Sequence, residues 1–323
     1  MKTVVVVPTI REQAINDFIE AWETEFNNPN VELLVIEDNV TITFKLPDWV
    51  KHYSWVNIDA DLGDDSWIIP RKTDCVRSWG FLKALDFNPD MIVTLDDDCR
   101  PYGNANFLRL HAAYLTVPHN ELAWERTCSD YTRGIPYQNI YRKREVILNH
   151  GLWKGIPDED SVSSLSNMRN PKEPFELLQK VIHGDKYFPM CGMNLAFKPI
   201  ILPAFYFLLM GEQYGIDRFG DIWAGIILKK ICDHLGYAIS SGVPYIKHER
   251  LSNLFTNLKK EARGIALNEG FWEMIDNMIL TSESFGDCYW EIAVHLYNMD
   301  DPYFKKLCMA MKIWERLVRA RRQ

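Results

Sequence analysis

The chain has 323 residues, enough for two domains of about 150 residues or for one large α/β domain with a cap. Apolar residues make up 47% and charged residues 25%, which excludes a disordered or low-complexity chain. With 36 Lys and Arg against 44 Asp and Glu, the net charge of −8 argues against nucleic acid as the main partner. The longest apolar run, from Ile200 to Met210, contains Pro203 and is too short to cross a bilayer, so no integral membrane segment is expected. The opening MKTVVVVPTI lacks the apolar length and cleavage site of a secretory signal. The 7 cysteines are scattered and form no CxxC pair, which fits neither a disulfide framework nor a zinc site. A reducing cytoplasm is the expected compartment.

In chain order, strand and helix signals alternate. Val4–Val7 is a β-branched apolar run of the kind buried on both faces of a parallel sheet, and it ends at Pro8 and Thr9. Residues 12–26 carry a helical pattern through Ile15, Phe18, Ile19, Trp22 and Phe26. Leu33–Ile36 reads as a second buried strand closed by Glu37 and Asp38, residues 73–85 as a helix, and Met91–Leu95 as a strand ending in Asp96-Asp97-Asp98. The stretch 101–185 has weak periodicity and is too long for a plain connector. Helical patterns return over 200–210 and 222–235, a strand or a strand pair broken at Gly242 is expected over 237–245, and helical spacing resumes after about residue 262. The alternation predicts a doubly wound α/β sheet whose ligands bind at the carboxyl ends of strands. We expect residues 1–265 to form the nucleotide-binding catalytic domain and 266–323 a helical extension suited to oligomerisation. Its apolar positions include Trp272, Ile275, Met278, Ile279, Trp290, Ile292, Leu296, Tyr297, Trp314 and Val318.

Three adjacent carboxylates at the end of a buried strand repel one another unless a cation neutralises them. Hard oxygen ligands of this kind suit Mg²⁺ or Mn²⁺ bridging to substrate phosphates, and a DxD at a strand end is the mark of GT-A nucleotide-sugar enzymes. The bland alternative is a solvated turn. Pro8, Thr9 and Asp38 follow strands, where an acidic group can accept from a ribose hydroxyl; an ordinary acidic turn is the competing reading for Asp38. Arg77 opens the helix leading to the acidic strand and could hold a diphosphate, or could simply belong to a charged helix surface. Asn194 lies in the GMNLAF segment. Asp221 stands at a helix start, where it serves either as an N-terminal cap or as a general base. His248 is either a structural histidine or a metal ligand through its neutral imidazole. Lys259-Lys260 is either a solvated face or a phosphate contact.

Together these segments resemble the reversibly glycosylated polypeptide family, whose plant members are UDP-arabinopyranose mutases. The resemblance runs through Met91–Cys99, Arg133–Pro136, HGLWKGIPDED from His150 to Asp160, Cys191–Phe197, Asp221–Gly225, and VPYIKHERLSNLFTNLKKE from Val243 to Glu261. It implies a GT-A-like fold, a UDP-sugar substrate and Mn²⁺ or Mg²⁺. It implies that Asp96, Asp97 and Asp98 hold metal and UDP, with His248 as a further ligand, and that Arg133 is the arginine that reversibly accepts sugar. The second family arginine matches Arg142, with Arg144 as an alternative. Asp158 is retained with Asp160, but Glu159 replaces an aromatic residue, and Gly220 stands where the family has a first Asp before Asp221.

A guanidinium is protonated at neutral pH, so an arginine that attacks a sugar needs a carboxylate to take its proton; Asp221 or Asp158 could do so. Three functions share the donor site: a UDP-sugar mutase, an inverting glycosyltransferase with an external acceptor, and a nucleotide-sugar-binding subunit without activity. A homo-oligomer is expected.

Overall fold

A computed structural model describes residues 1–103, 106–124, 133–156, 158–169, 179–249 and 253–322. In chain order its elements are β1 (Thr3–Thr9), α1 (Glu12–Phe26), β2 (Val31–Glu37), β3 (Val50–Tyr53), α2 (Trp55–Leu62), α3 (Val76–Ala84), β4 (Met91–Leu95) and β5 (Cys99–Pro101). They continue with α4 (Phe107–Thr116), β6 (His119–Leu122), β7 (Tyr141–Arg144), β8 (Val146–Gly155), α5 (Ser161–Arg169), β9 (Lys180–Val181) and β10 (Asn194–Phe197). The last are α6 (Gly220–Leu235), β11 (Ala238–His248), α7 (Leu254–Asp276), α8 (Phe285–Tyr297) and α9 (Pro302–Arg321).

The main sheet runs β3-β2-β1-β4-β10-β8-β11-β5, with β9 on β11. β1, β2, β3 and β4 are mutually parallel, and β10 is antiparallel to both β4 and β8. The expected doubly wound, mixed sheet is therefore present. Because side chains alternate along a strand, Val4 and Val6 join one core and Val5 and Val7 the other. On the first face, Gly80 lets α3 lie against β1, since a Cβ there would stand 2.4 Å from Val6 Cγ1. On the second, α1 buries the periodic face expected for it.

β1 pairs with β2 on one side and β4 on the other, so the chain reverses its winding between β1 and β4. Such a switch point leaves a crevice beyond the carboxyl ends of the two strands. Thr9 and Asp96–Asp98 stand at those ends.

Three expectations need correcting. The run 200–210 is not a helix: a short 3₁₀ turn covers Pro199–Ala204, and Phe205–Met210 continues as irregular, fully covered chain. It has no polar face to give a helix its outer side, and Pro203 removes a donor. The weakly periodic middle contains helix α4 and the central strand β8, whose residues are buried from Val146 to Gly151. β11 is one strand, with a register shift between Gly242 and Ile246 rather than a break.

Residue 265 falls inside α7, and α7, α8 and α9 share one core with α3, α6 and the 199–210 segment. Trp314 donates its indole N–H to the Leu202 carbonyl at 2.8 Å and stacks on Tyr206. Trp223 stacks on Phe271 at 4.1 Å. Ile275, Ile292, Leu296, Trp314 and Val318 are buried in the chain's own core, whereas Trp272, Ile279, Trp290 and Tyr297 face outward. Asn253, Ser284 and Asp301 cap the three helices by accepting first-turn backbone N–H groups. Six described cysteines are buried thiols, Cys128 lies outside the described residues, and among those residues no helix is long and apolar enough to cross a membrane.

Candidate active site

The crevice is an open cleft of about 700 Å³ lined by Pro8, Thr9, Arg11, Asp38, Phe44, Lys72, Asp74, Asp96, Asp97, Asp217, Arg218 and Lys260, among others. Pro8, Thr9, Asp38, Asp96 and Asp97 thus stand together, although they come from three strands.

The acidic triplet is split among three partners. Asp96 pairs with Arg77, Asp97 with Arg11, and Asp98 faces His248. Asp97 is 2% exposed and accepts the Thr9 hydroxyl at 2.6 Å and Arg11 Nε at 3.1 Å. Arg11 Nη2 also stands 3.5 Å from Asp98 Oδ2. Burial and the Asp96 charge raise the Asp98 pKa. Burial also opposes ionisation of Asp96, but the Arg77 guanidinium outweighs it and keeps its pKa low.

Arg77 lies beneath the cleft rather than in it. Its guanidinium donates to the Leu95 and Gly192 carbonyls at 3.2 and 3.0 Å and to Asp74 at 3.1 Å, besides Thr94 and Asp96. With its donors committed, it props the triplet from below and cannot be the diphosphate ligand expected of it.

His248 ends β11. Its Nδ1 stands 2.8 Å from the Ile156 carbonyl, which accepts only from an N–H, so the lone pair sits on Nε2, 3.9 Å from Asp98 Oδ1. Anchoring the far nitrogen in this way is how a ligating imidazole is oriented. Asp98 and His248 therefore fit one shared divalent cation. Asp96, turned to Arg77, does not join them, and among the described residues no three His, Cys, Asp or Glu side chains form a closed ligand set.

At the other end, Asp221 accepts the backbone N–H groups of Gly192 and Ile222, both at 2.9 Å. Burial, then the neighbouring Asp74 charge, push its pKa up to about 8. Asp221 lies one position inside α6, whose N-cap is Phe219, so it accepts a first-turn N–H from within the helix while holding its own proton at neutral pH. Asp158 is exposed and bonds the Cys191 thiol, and both it and Asp221 act electrostatically on Arg218. At Gly220 a Cβ would meet nothing closer than Leu208 O at 3.6 Å, so packing does not explain the missing carboxylate. Asp38 accepts the Trp55 indole N–H at 2.6 Å, and burial raises its pKa to about 6. Its neighbour Glu37 is consumed by structure, accepting from Thr43 and Phe44.

Other expected residues fall elsewhere. Asn194 is fully buried, donating to the Leu152 and Pro244 carbonyls and facing His111, so it joins β10 to its neighbours and does not reach the cleft. Lys259 is exposed, and Lys260 is the cleft lysine, 3.1 Å from Asp217. The helical period carried this distinction, since Asn257, Lys260, Glu261 and Gly264 share one face of α7. Arg133 sits in an exposed turn, and Arg142 on β7 opposite Glu121, whose carboxylate holds Arg144 at 2.7 Å. None of these three arginines lines the cleft. The cleft arginines are Arg11 and Arg218. Arg11 was detectable as the first cation after β1, but nothing local marked Arg218.

The reversibly glycosylated polypeptide family model matches residues 2–322. The chain is 34% identical to a protein named UDP-arabinopyranose mutase 1 of Arabidopsis thaliana, over 96% of this chain and 90% of that one. It is 33% identical to UDP-arabinopyranose mutase 1 of Oryza sativa subsp. japonica, over 96% and 88%. Among solved structures, Mycobacterium tuberculosis glucosyl-3-phosphoglycerate synthase in complex with Mn²⁺, UDP-glucose and phosphoglyceric acid aligns over 84% of this chain and 80% of that one, with a TM-score of 0.46 and 15% identity. A match across nearly the whole chain, with the acidic triplet at the switch point of the sheet, places this protein in the reversibly glycosylated polypeptide family.

Proposed function

We propose that the protein interconverts the pyranose and furanose forms of a UDP-pentose, as the names of its relatives state for them. The observation that carries the reading is the Asp98–His248 pair next in the chain to Asp96 and Asp97, which line a cleft together with Asp38 and a set of cations. The nucleoside end is read at Pro8, Thr9, Asp38 and Phe44, where a carboxylate and an aromatic face flank the end of β1. Asp98 and His248 would hold the divalent ion, Mn²⁺ or Mg²⁺, which when bound would offset negative charge on the diphosphate. Thr9 and Arg11 hold Asp97 in place beside that pair.

Ring contraction requires the anomeric C–O bond to break and the sugar ring to open and close again. Asp221 and Asp158 both act electrostatically on the cleft residue Arg218, and we assign them to the sugar. Asp221, its pKa pushed up to about 8, holds a proton at neutral pH and is placed to protonate the ring oxygen as the ring opens. The hydroxyl that closes the smaller ring gives up its proton, and the UDP phosphate oxygen re-forms the anomeric bond. Arg133 is the proposed site of reversible sugar attachment on the family resemblance, and its exposed turn puts that attachment outside the cleft. The outward Trp272, Trp290 and Tyr297 are the surface we propose for self-association.

Incubation with UDP-arabinopyranose and Mn²⁺, followed by chromatographic resolution, tests the reading. A UDP-furanose product supports it. Free UDP produced only with an added acceptor supports a glycosyltransferase instead, and binding without turnover supports a non-catalytic subunit.

A further inference from the structure

Among the described residues, three that are not glycine have positive φ: Lys72 at 59°, Asn88 at 49° and Arg218 at 66°. Asn88 ends a 3₁₀ turn, where asparagine is commonly tolerated. Lys72 and Arg218 have no such excuse, and both line the cleft. A left-handed backbone at a long side chain is unfavourable and persists where the surroundings impose it. At Lys72 the imposed bond is its backbone N–H to Asp38.

At Arg218 the surroundings are more telling. Its Nε donates to Glu261 Oε1 at 2.8 Å. Glu261 is 4% exposed, and its other oxygen accepts the Ser161 backbone N–H at 2.7 Å, at the start of α5. A buried carboxylate on α7 thus clamps the guanidinium by one edge. The two terminal amino groups make no hydrogen bond among the described residues, and the side chain is 38% exposed to the cleft. Arg11, by contrast, spends its guanidinium on Asp97 and Asp98. The charges of Asp158 and Asp221 also act on Arg218.

We propose that Arg218, positioned by Glu261, binds the sugar-side phosphate of a nucleoside diphosphate through its two terminal amino groups. The assignment rests on the nucleotide-sugar reading of the cleft and adds its distal phosphate contact. A planar fork with two donors on one side matches a phosphate, and the clamp pre-orients it before the ligand arrives.

Calorimetric binding of UDP and of UMP, each with Mn²⁺, separates the phosphates. Arg218→Ala should weaken UDP at least tenfold and leave UMP within twofold, while Arg218→Lys recovers only part of the loss. Glu261→Gln, which can still accept the Ser161 N–H, should weaken UDP about threefold and spare UMP. Equal losses for UDP and UMP, or an unchanged UDP affinity in Arg218→Ala with its melting temperature preserved, would overturn the assignment. If the unaltered protein binds UDP no more tightly than UMP, the distal contact is absent although the nucleotide reading stands. If it binds neither, both fall.

Discussion

The cleft and the β6–β7 ribbon each carry arginines, and they keep them in opposite ways. Arg77 is buried among Asp74, Asp96 and backbone carbonyls, Arg11 is locked onto Asp97, and Arg218 is clamped by Glu261. Arg142 and Arg133 are exposed, and the nearest described carboxylate on the ribbon, Glu121, is engaged by Arg144. A guanidinium in water keeps its proton and its solvent shell; one held among buried carboxylates acquires a fixed direction and a strong local field. The cleft is therefore built for electrostatic binding of a charged leaving group, whereas the ribbon presents arginines to whatever reaches the surface.

The largest contrast is in stability. Arg77→Ala leaves Asp74 and Asp96 facing each other without their cation, and it should destabilise the fold by about 3–5 kcal/mol in denaturant titration. Arg133→Ala should stay within about 0.5 kcal/mol. An Arg77→Ala protein as stable as the parent would mean that the triplet needs no support from below.

Next in size is nucleotide binding. Asp98→Ala and His248→Ala should each cut Mn²⁺-dependent UDP affinity tenfold or more, about 1.4 kcal/mol. Arg142→Ala should leave it unchanged. A loss in Arg142→Ala matching that in Asp98→Ala would join ribbon and cleft into one site.

Labelling by radioactive UDP-sugar sharpens the comparison further. Arg133→Ala should lose the label while its UDP affinity stays constant, since it does not line the cleft. Label retained in this variant moves the acceptor elsewhere.

A further contrast is a slope with pH. The folded protein holds the Asp221 proton up to about pH 8, well above the ordinary carboxylate range, so the unfolded chain binds fewer protons between about pH 4 and 8. Stability from this group is thus lost as pH rises through that window. Asp221→Asn does not titrate, so its melting temperature relative to the parent should climb from pH 4 to pH 8. A flat difference would mean that Asp221 ionises normally.

Local pattern carried the first part of this structure. Four valines before Pro8, the apolar run before the acidic triplet, and the periodic faces of α1 and α6 record burial in the order of adjacent residues, and that order is all a sequence shows directly. From them followed the parallel strands and the placement of Thr9, Asp38 and Asp96–Asp98 at strand ends, while the family was read from the resemblance of HGLWKGIPDED, CGMNLAF and VPYIKHERLSNLFTNLKKE. What the tertiary structure decided is pairing at long separation. Arg77, read as a diphosphate contact or a surface cation, lies buried under the acidic triplet, whereas the half-buried Arg11 holds Asp97. Asn194 looked like a ligand but spends its amide on backbone carbonyls of β8 and β11. Lys260 rather than Lys259 reaches the cleft, and Arg218 gained its place only through Glu261, 43 positions away. A charged side chain's role depends on which opposite charge the fold brings within a few ångströms, and neither propensity nor periodicity encodes that distance.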